Sequence, residues 1–217
     1  MTLRDLDALP ETVIYDVNYT LELPLRMTVA SAMNAMAHAV EALYSAHGNP
    51  LLSMMAHEGF TSIFSSLPKL LSKPTDPDAR TDALYGAWIC GMCLGSGGVA
   101  LHHKLCHILG GSFDLPHAET HAIVLPHALA YNAPAISNVI SDLRKATGSI
   151  SPTDALYNLV RHAGLPTALE DLGMPEDGIA RAVEITLEQS FANPRELERS
   201  ALVTLLDNAW HGRRPAG

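Results

Sequence analysis

Apolar residues recur at three- and four-residue spacing along most of this chain. Ala30, Met33, Ala37, Val40 and Leu43 form one such stripe and predict a helix over 28–46. Gly48-Asn49-Pro50 stops it and starts a second helix over 50–66, with Pro68 bending the chain before 69–72. After the Pro74–Asp78 loop a third helix runs from Asp78 through Trp88 and Cys93 to Gly95, Gly97 and Gly98. The same periodicity predicts a short helix over 99–109, closed by Gly110-Gly111, and one over 117–131 interrupted or kinked at Pro126. Further helices follow over 136–147, 152–163, 166–172, 175–189 and 194–210. Pro152, Pro175 and Pro194 stand at first helical positions, and Ser151 and Asn193 serve as N-caps. Only the first 26 residues read differently. Thr12-Val13-Ile14-Tyr15 is a β-branched and aromatic run bracketed by Pro10 and Pro24, a single strand or extended arm. The expected fold class is therefore all-α, a helical bundle over 27–217 with a short extended N-terminal arm over 1–26.

Composition narrows the function. The 217 residues are 47% hydrophobic and 17% charged, an ordinary globular balance that argues against disorder. The formal net charge is −9, and the one tight cationic cluster is Arg213-Arg214. Nucleic acid is thus not an expected partner. The uncharged stretch from Ala83 to Leu101 is broken repeatedly by glycine, so no membrane helix is expected there. No apolar run follows Met1–Asp5, so no secretory signal is expected, and three cysteines make no disulfide framework. A cytoplasmic protein is the expectation. Gly95-Ser96-Gly97-Gly98 follows a helix, not a strand, and reads as a close helix–helix approach, not a phosphate loop.

Histidine changes the picture most. The chain has 11, and six of them lie between His102 and His127. Asn34 with His38, His103 with His107, and His117 with His121 are spaced four apart, so each pair shares one helix face. Three helices presenting such pairs to a common cleft would build a histidine-lined pocket suited to metal binding or to proton transfer near neutral pH. Cys90-x-x-Cys93 with His103 and His107 offers a second, structural-zinc arrangement. Its spacer is short for a finger and its flanks look like a buried helix.

The unbroken segment His102–His127 contains the strings HHKLCH, GGSFDLPHAETHA and, at its end, the start of LPHALAYN. Together with Asn34-Ala35-Met36-Ala37-His38-Ala39-Val40-Glu41-Ala42-Leu43, it resembles the iron-containing (group III) alcohol dehydrogenase superfamily, and within it the maleylacetate reductase branch. The resemblance runs from about Pro10 to the C-terminus. It implies an enzyme of two halves, of which this chain is similar to the all-helical C-terminal one, with the N-terminal dinucleotide-binding domain absent. It implies the NADH- or NADPH-dependent reduction of the C=C bond of maleylacetate to 3-oxoadipate, in a homodimer or together with a separate nucleotide-binding half. A metal-dependent alcohol dehydrogenase and a non-catalytic helical interaction domain are the alternatives. By the same resemblance Asn34, His38, His103 and His117 occupy the positions of the metal ligands, with Asn34 standing where the family has Asp. A neutral amide is a poorer ligand for iron or zinc, so a weak or vacant metal site is expected. His103, His107 and His117 become the catalytic candidates, with His107 beside the nicotinamide. Lys104 and His121 become the candidates for the substrate carboxylates.

Overall fold

The computed structural model describes residues 10–215. Among them there are nine α-helices and no β-strand. In chain order these are α1 (Leu25–Leu43), α2 (Pro50–Ser72), α3 (Pro77–Gly97), α4 (Leu101–Phe113), α5 (His117–Asn132), α6 (Ser137–Thr147), α7 (Pro152–His162), α8 (Gly178–Glu188) and α9 (Arg199–Trp210). The all-helical expectation holds. Residues 1–9 of the expected arm lie outside the described residues. Residues 12–15 form no strand and are exposed. With no second strand to pair with, the β-branched run stays irregular. It is held from outside: the Tyr15 ring meets Trp88 edge-on at 6.4 Å. Beyond it, the buried Arg80 donates to Leu23 O, Pro74 O and Thr28 Oγ1, tying the end of the arm to α1 and α3.

Local signals that need no tertiary help are realised. Asn49, Asp76 and Ser151 each accept a backbone N–H in the first turn of α2, α3 and α7. Signals that compete with packing are overridden. Pro68 and Pro126 lie inside unbroken helices, because α2 is packed along α3 and every α5 residue from Thr120 to Asn132 is buried. Gly110-Gly111 does not close α4. The helix runs on to Phe113, which packs against Gly178, and ends at Asp114 in the left-handed conformation (φ 53°). Pro194 does not begin α9. The Asn193 amide pairs with Asn132 and donates to Arg195 O, and Arg195 donates to Tyr131 O. Those bonds hold the segment irregular until α9 starts at Arg199. Pro175 likewise precedes α8 by three residues, and 166–172 contains only the single turn Glu170–Leu172.

Two apolar cores share one helix. The first joins α1, α2, α3, α6 and α7, and the second joins α4, α8 and α9. Ala122, Leu125 and Leu129 of α5 enter the first, whereas Ile123, Val124 and Ala128 enter the second. The N-terminal turns of α5 and α4 therefore meet α1 where the two cores join. No single helix among the described residues is long and apolar enough to cross a membrane. α3 and α4 pass together on length and composition but meet at 95°.

Candidate active site

Helix α1 carries Asn34, His38 and Glu41 along one face, at spacings of four and three. Glu41 is 2% exposed, which for a carboxylate demands partners. It finds them at the start of α4. One oxygen accepts from Ala100 N at 2.9 Å and from the His103 ring Nδ1 at 2.7 Å, and the other from His103 N at 3.3 Å. Ala100 has no side chain able to cap α4, so a carboxylate from another helix satisfies its free N–H groups and favours the positive end of its dipole.

This contact brings the histidines together. His38 of α1 stacks on His103 of α4, ring centroids 4.1 Å apart and planes 23° apart. His121 of α5 stands 5.0 Å from His103 and 4.2 Å from His117, and His107 is 6.2 Å from His103. The histidines of the three pairs read from the sequence thus converge. His103 and His121 are buried, Asn34 and His38 are half-buried, and His107 and His117 are exposed. The cluster is open on one side and dry on the other.

Asn34 Oδ1, His38 Nδ1, His103 Nε2 and both ring nitrogens of His121 are buried with no protein partner. Burial, followed by the charges of neighbouring histidines, pushes His38 down to about 3 and His121 to about 2. His107 is lowered for the same leading reason, with Lys104 contributing. His38 and His121 are consequently neutral at pH 7 and offer lone pairs. Lys104 itself is half-buried, with its ammonium 5.8 Å from the Phe191 ring centroid.

Glu41 and His102 complete the cluster and were not singled out from the sequence. Glu41 shares a face with Asn34 and His38, a spacing visible in the sequence. Among the described residues one trio of ligand-type side chains, His102, His103 and His121, has its ligand atoms within 4.8 Å of one another. Both His102 nitrogens are already committed, Nε2 to His121 O at 3.1 Å and Nδ1 to His103 Nδ1 at 3.3 Å. His102 therefore buttresses its neighbours and offers no free lone pair. Cys90 and Cys93 are buried in the first core, apart from the histidines, and burial raises both thiols. A cavity of about 360 Å³ adjoins Glu41, between Tyr44, Gly98, Ala100 and Asn193.

Residues 28–210 match the Fe-containing alcohol dehydrogenase family, C-terminal. The chain belongs to this family. Maleylacetate reductase 1 of Cupriavidus pinatubonensis is 53% identical over 98% of this chain and 60% of its own length, and the maleylacetate reductase of Pseudomonas knackmussii is 52% identical over the same shares. The crystal structure of maleylacetate reductase from Agrobacterium tumefaciens superposes with a TM-score of 0.94 at 45% identity, covering 99% of this chain and 61% of that one. The chain spans about 60% of the length of these relatives. It corresponds to the family's C-terminal part, and the histidine cluster is contained wholly within the matched residues.

Proposed function

We propose that this chain carries the reacting half of a maleylacetate reductase and acts with a nucleotide-binding half that supplies NADH or NADPH. The observation that carries this reading is the convergence of His38, His103 and His117 on a site with buried, unpartnered donors, in a chain 53% identical to a maleylacetate reductase.

The reaction sets the demands on the site. A bound NADH or NADPH would supply hydride to the alkene carbon β to the ketone, and the electron pair of the C=C bond would move to the ketone oxygen as an enolate. A proton then adds to the α carbon, giving 3-oxoadipate and the oxidised cofactor. The enolate oxygen needs positive charge or N–H donors already in place. That stabilisation is assigned to His38, His103 and His117. Glu41, on the far side of the His103 ring, would balance the charge of that ring when its Nε2, an open lone pair in the resting site, carries the proton that faces the enolate. His107 is exposed and would relay the proton to the α carbon when a nicotinamide is bound. Lys104 and His121, whose ring nitrogens have no protein partner, would take the substrate carboxylates.

The donors also fit a divalent transition metal, since Asn34 Oδ1, His38 Nδ1 and His103 Nε2 are buried lone pairs without partners. Asn34, His38, His103 and His117 would hold it, and it would supply Lewis-acid polarisation of the ketone oxygen. The amide of Asn34 brings no charge, so the hold is weaker than a carboxylate gives, and a dianionic substrate meets less repulsion.

The test is NADH oxidation with maleylacetate, first with the chain alone and then with the nucleotide-binding half of a relative added. Activity that appears only with the added half supports the proposal. No activity in either case, from folded helical protein, contradicts it.

A further inference from the structure

The Glu41–His103 contact does more than cap a helix. A carboxylate oxygen only accepts, so the 2.7 Å contact with Nδ1 requires the ring hydrogen on that nitrogen. The neighbouring ring agrees. His102 Nε2 lies 3.1 Å from the carbonyl of His121, also an acceptor only, which puts the His102 hydrogen on Nε2 and a lone pair on Nδ1, facing His103 Nδ1–H. Both contacts select one form of the His103 ring. Its Nε2 is then a buried lone pair with no protein partner, next to the His38 ring that stacks on it and the unpartnered nitrogens of His121.

We propose that Glu41 is the positioning residue of this site, fixing His103 with hydrogen on Nδ1 and its lone pair at Nε2 directed into the cluster. The loss of a carboxylate at Asn34 then does not leave the site without an anion. The charge sits one layer back, on the same helix two turns on, where it orients a histidine and does not face the substrate. A carboxylate behind a reacting or ligating histidine commonly sets its orientation, and removing one costs about 10–100-fold in activity or metal affinity. The catalytic use of the pair rests on the reductase reading; the ring geometry does not.

The experiment is a long-range proton–nitrogen NMR spectrum of the histidine rings in the ¹⁵N-labelled 217-residue chain, with His103 assigned by its loss in His103→Asn. It needs no substrate, cofactor or second half, so its outcome is separate from that of the activity assay. The wild-type ring is expected to carry hydrogen on Nδ1. Glu41→Gln, which keeps an oxygen opposite Nδ1, is expected to retain that form, and Glu41→Ala to mix the two forms. In the assembled reductase Glu41→Ala is then expected to lower kcat about 10–100-fold with KM little changed, and Glu41→Gln to restore most of the rate. The cavity adjoining Glu41 gives water room to take over the cap in Glu41→Ala, and Glu41→Ser replaces that variant if it fails to fold. A wild-type ring with its hydrogen on Nε2 overturns the proposal whatever the variants do. So does an unchanged Nδ1–H form in a folded variant with no carboxylate or amide at position 41.

Discussion

At the residue scale, burial pushes His38, His121 and His127 below the ordinary histidine range. His127 shows it away from the cluster. It is 3% exposed, its Nε2 has no protein partner, and burial pushes it down to about 4. Unfolded, it titrates at the ordinary value of 6.5, so below that pH the unfolded chain binds the extra proton and the folded one does not. Stability is therefore complete above pH 6.5 and falls as pH drops towards 4, by on the order of 3 kcal/mol from this residue. Urea unfolding at pH 7 and at pH 4.5 measures it: His127→Gln loses less stability between the two than the wild type, and equal losses contradict the assignment. His103→Ala in the assembled enzyme is expected to lower kcat about 10²-fold or more, read by NADH oxidation. An unchanged rate removes His103 from oxyanion stabilisation. His38, His103, His107, His117 and His121 were legible because four-residue spacing is a local pattern. Glu41 and His102 were not singled out, because their roles depend on contacts such as Glu41 to His103, 62 residues away.

At the element scale, α2 and α3 cross on glycine. A Cβ at Gly86 would lie 2.6 Å from Ile63 Cγ1 and 2.9 Å from the backbone oxygen of Gly59, where backbone cannot give way. Gly86→Ala is expected to destabilise by about 1–3 kcal/mol despite the better helix propensity of alanine. Gly91, on the same helix with nothing within 4 Å, makes the contrast. Gly91→Ala is expected to stabilise by about 0.5–1 kcal/mol. Thermal unfolding of the two variants checks both signs, and a common sign contradicts the packing account. Helix existence was legible from periodicity, and one cap from Ser151. The start of α9 was not, because Pro194 and Asn193 read as a start signal while Asn132 and Tyr131, some 60 residues earlier, claim that segment by hydrogen bonding. The run 12–15 reads as a strand by residue type, but strand formation needs a neighbour.

At the scale of the whole molecule, α5 is a shared wall between two cores, and the histidine cluster sits at its N-terminal end. Convergence of α1, α4 and α5 is a consequence of that arrangement, and no local pattern announces it. The sequence motifs pointed to the three helices; Glu41 of α1, bonded to the start of α4, shows how two of them are locked. We propose that this helical unit holds the reacting site of a reductase whose hydride donor is bound by a nucleotide-binding half. The most direct measurement is NADH oxidation with maleylacetate, the chain alone against the chain with a relative's nucleotide-binding half, with metal content read on the same sample. No turnover is expected from the chain alone, turnover is expected on addition of the half, and that turnover is expected to be lost in His103→Ala. Turnover that is the same in His103→Ala, or none at all from the folded pair, would contradict the proposal.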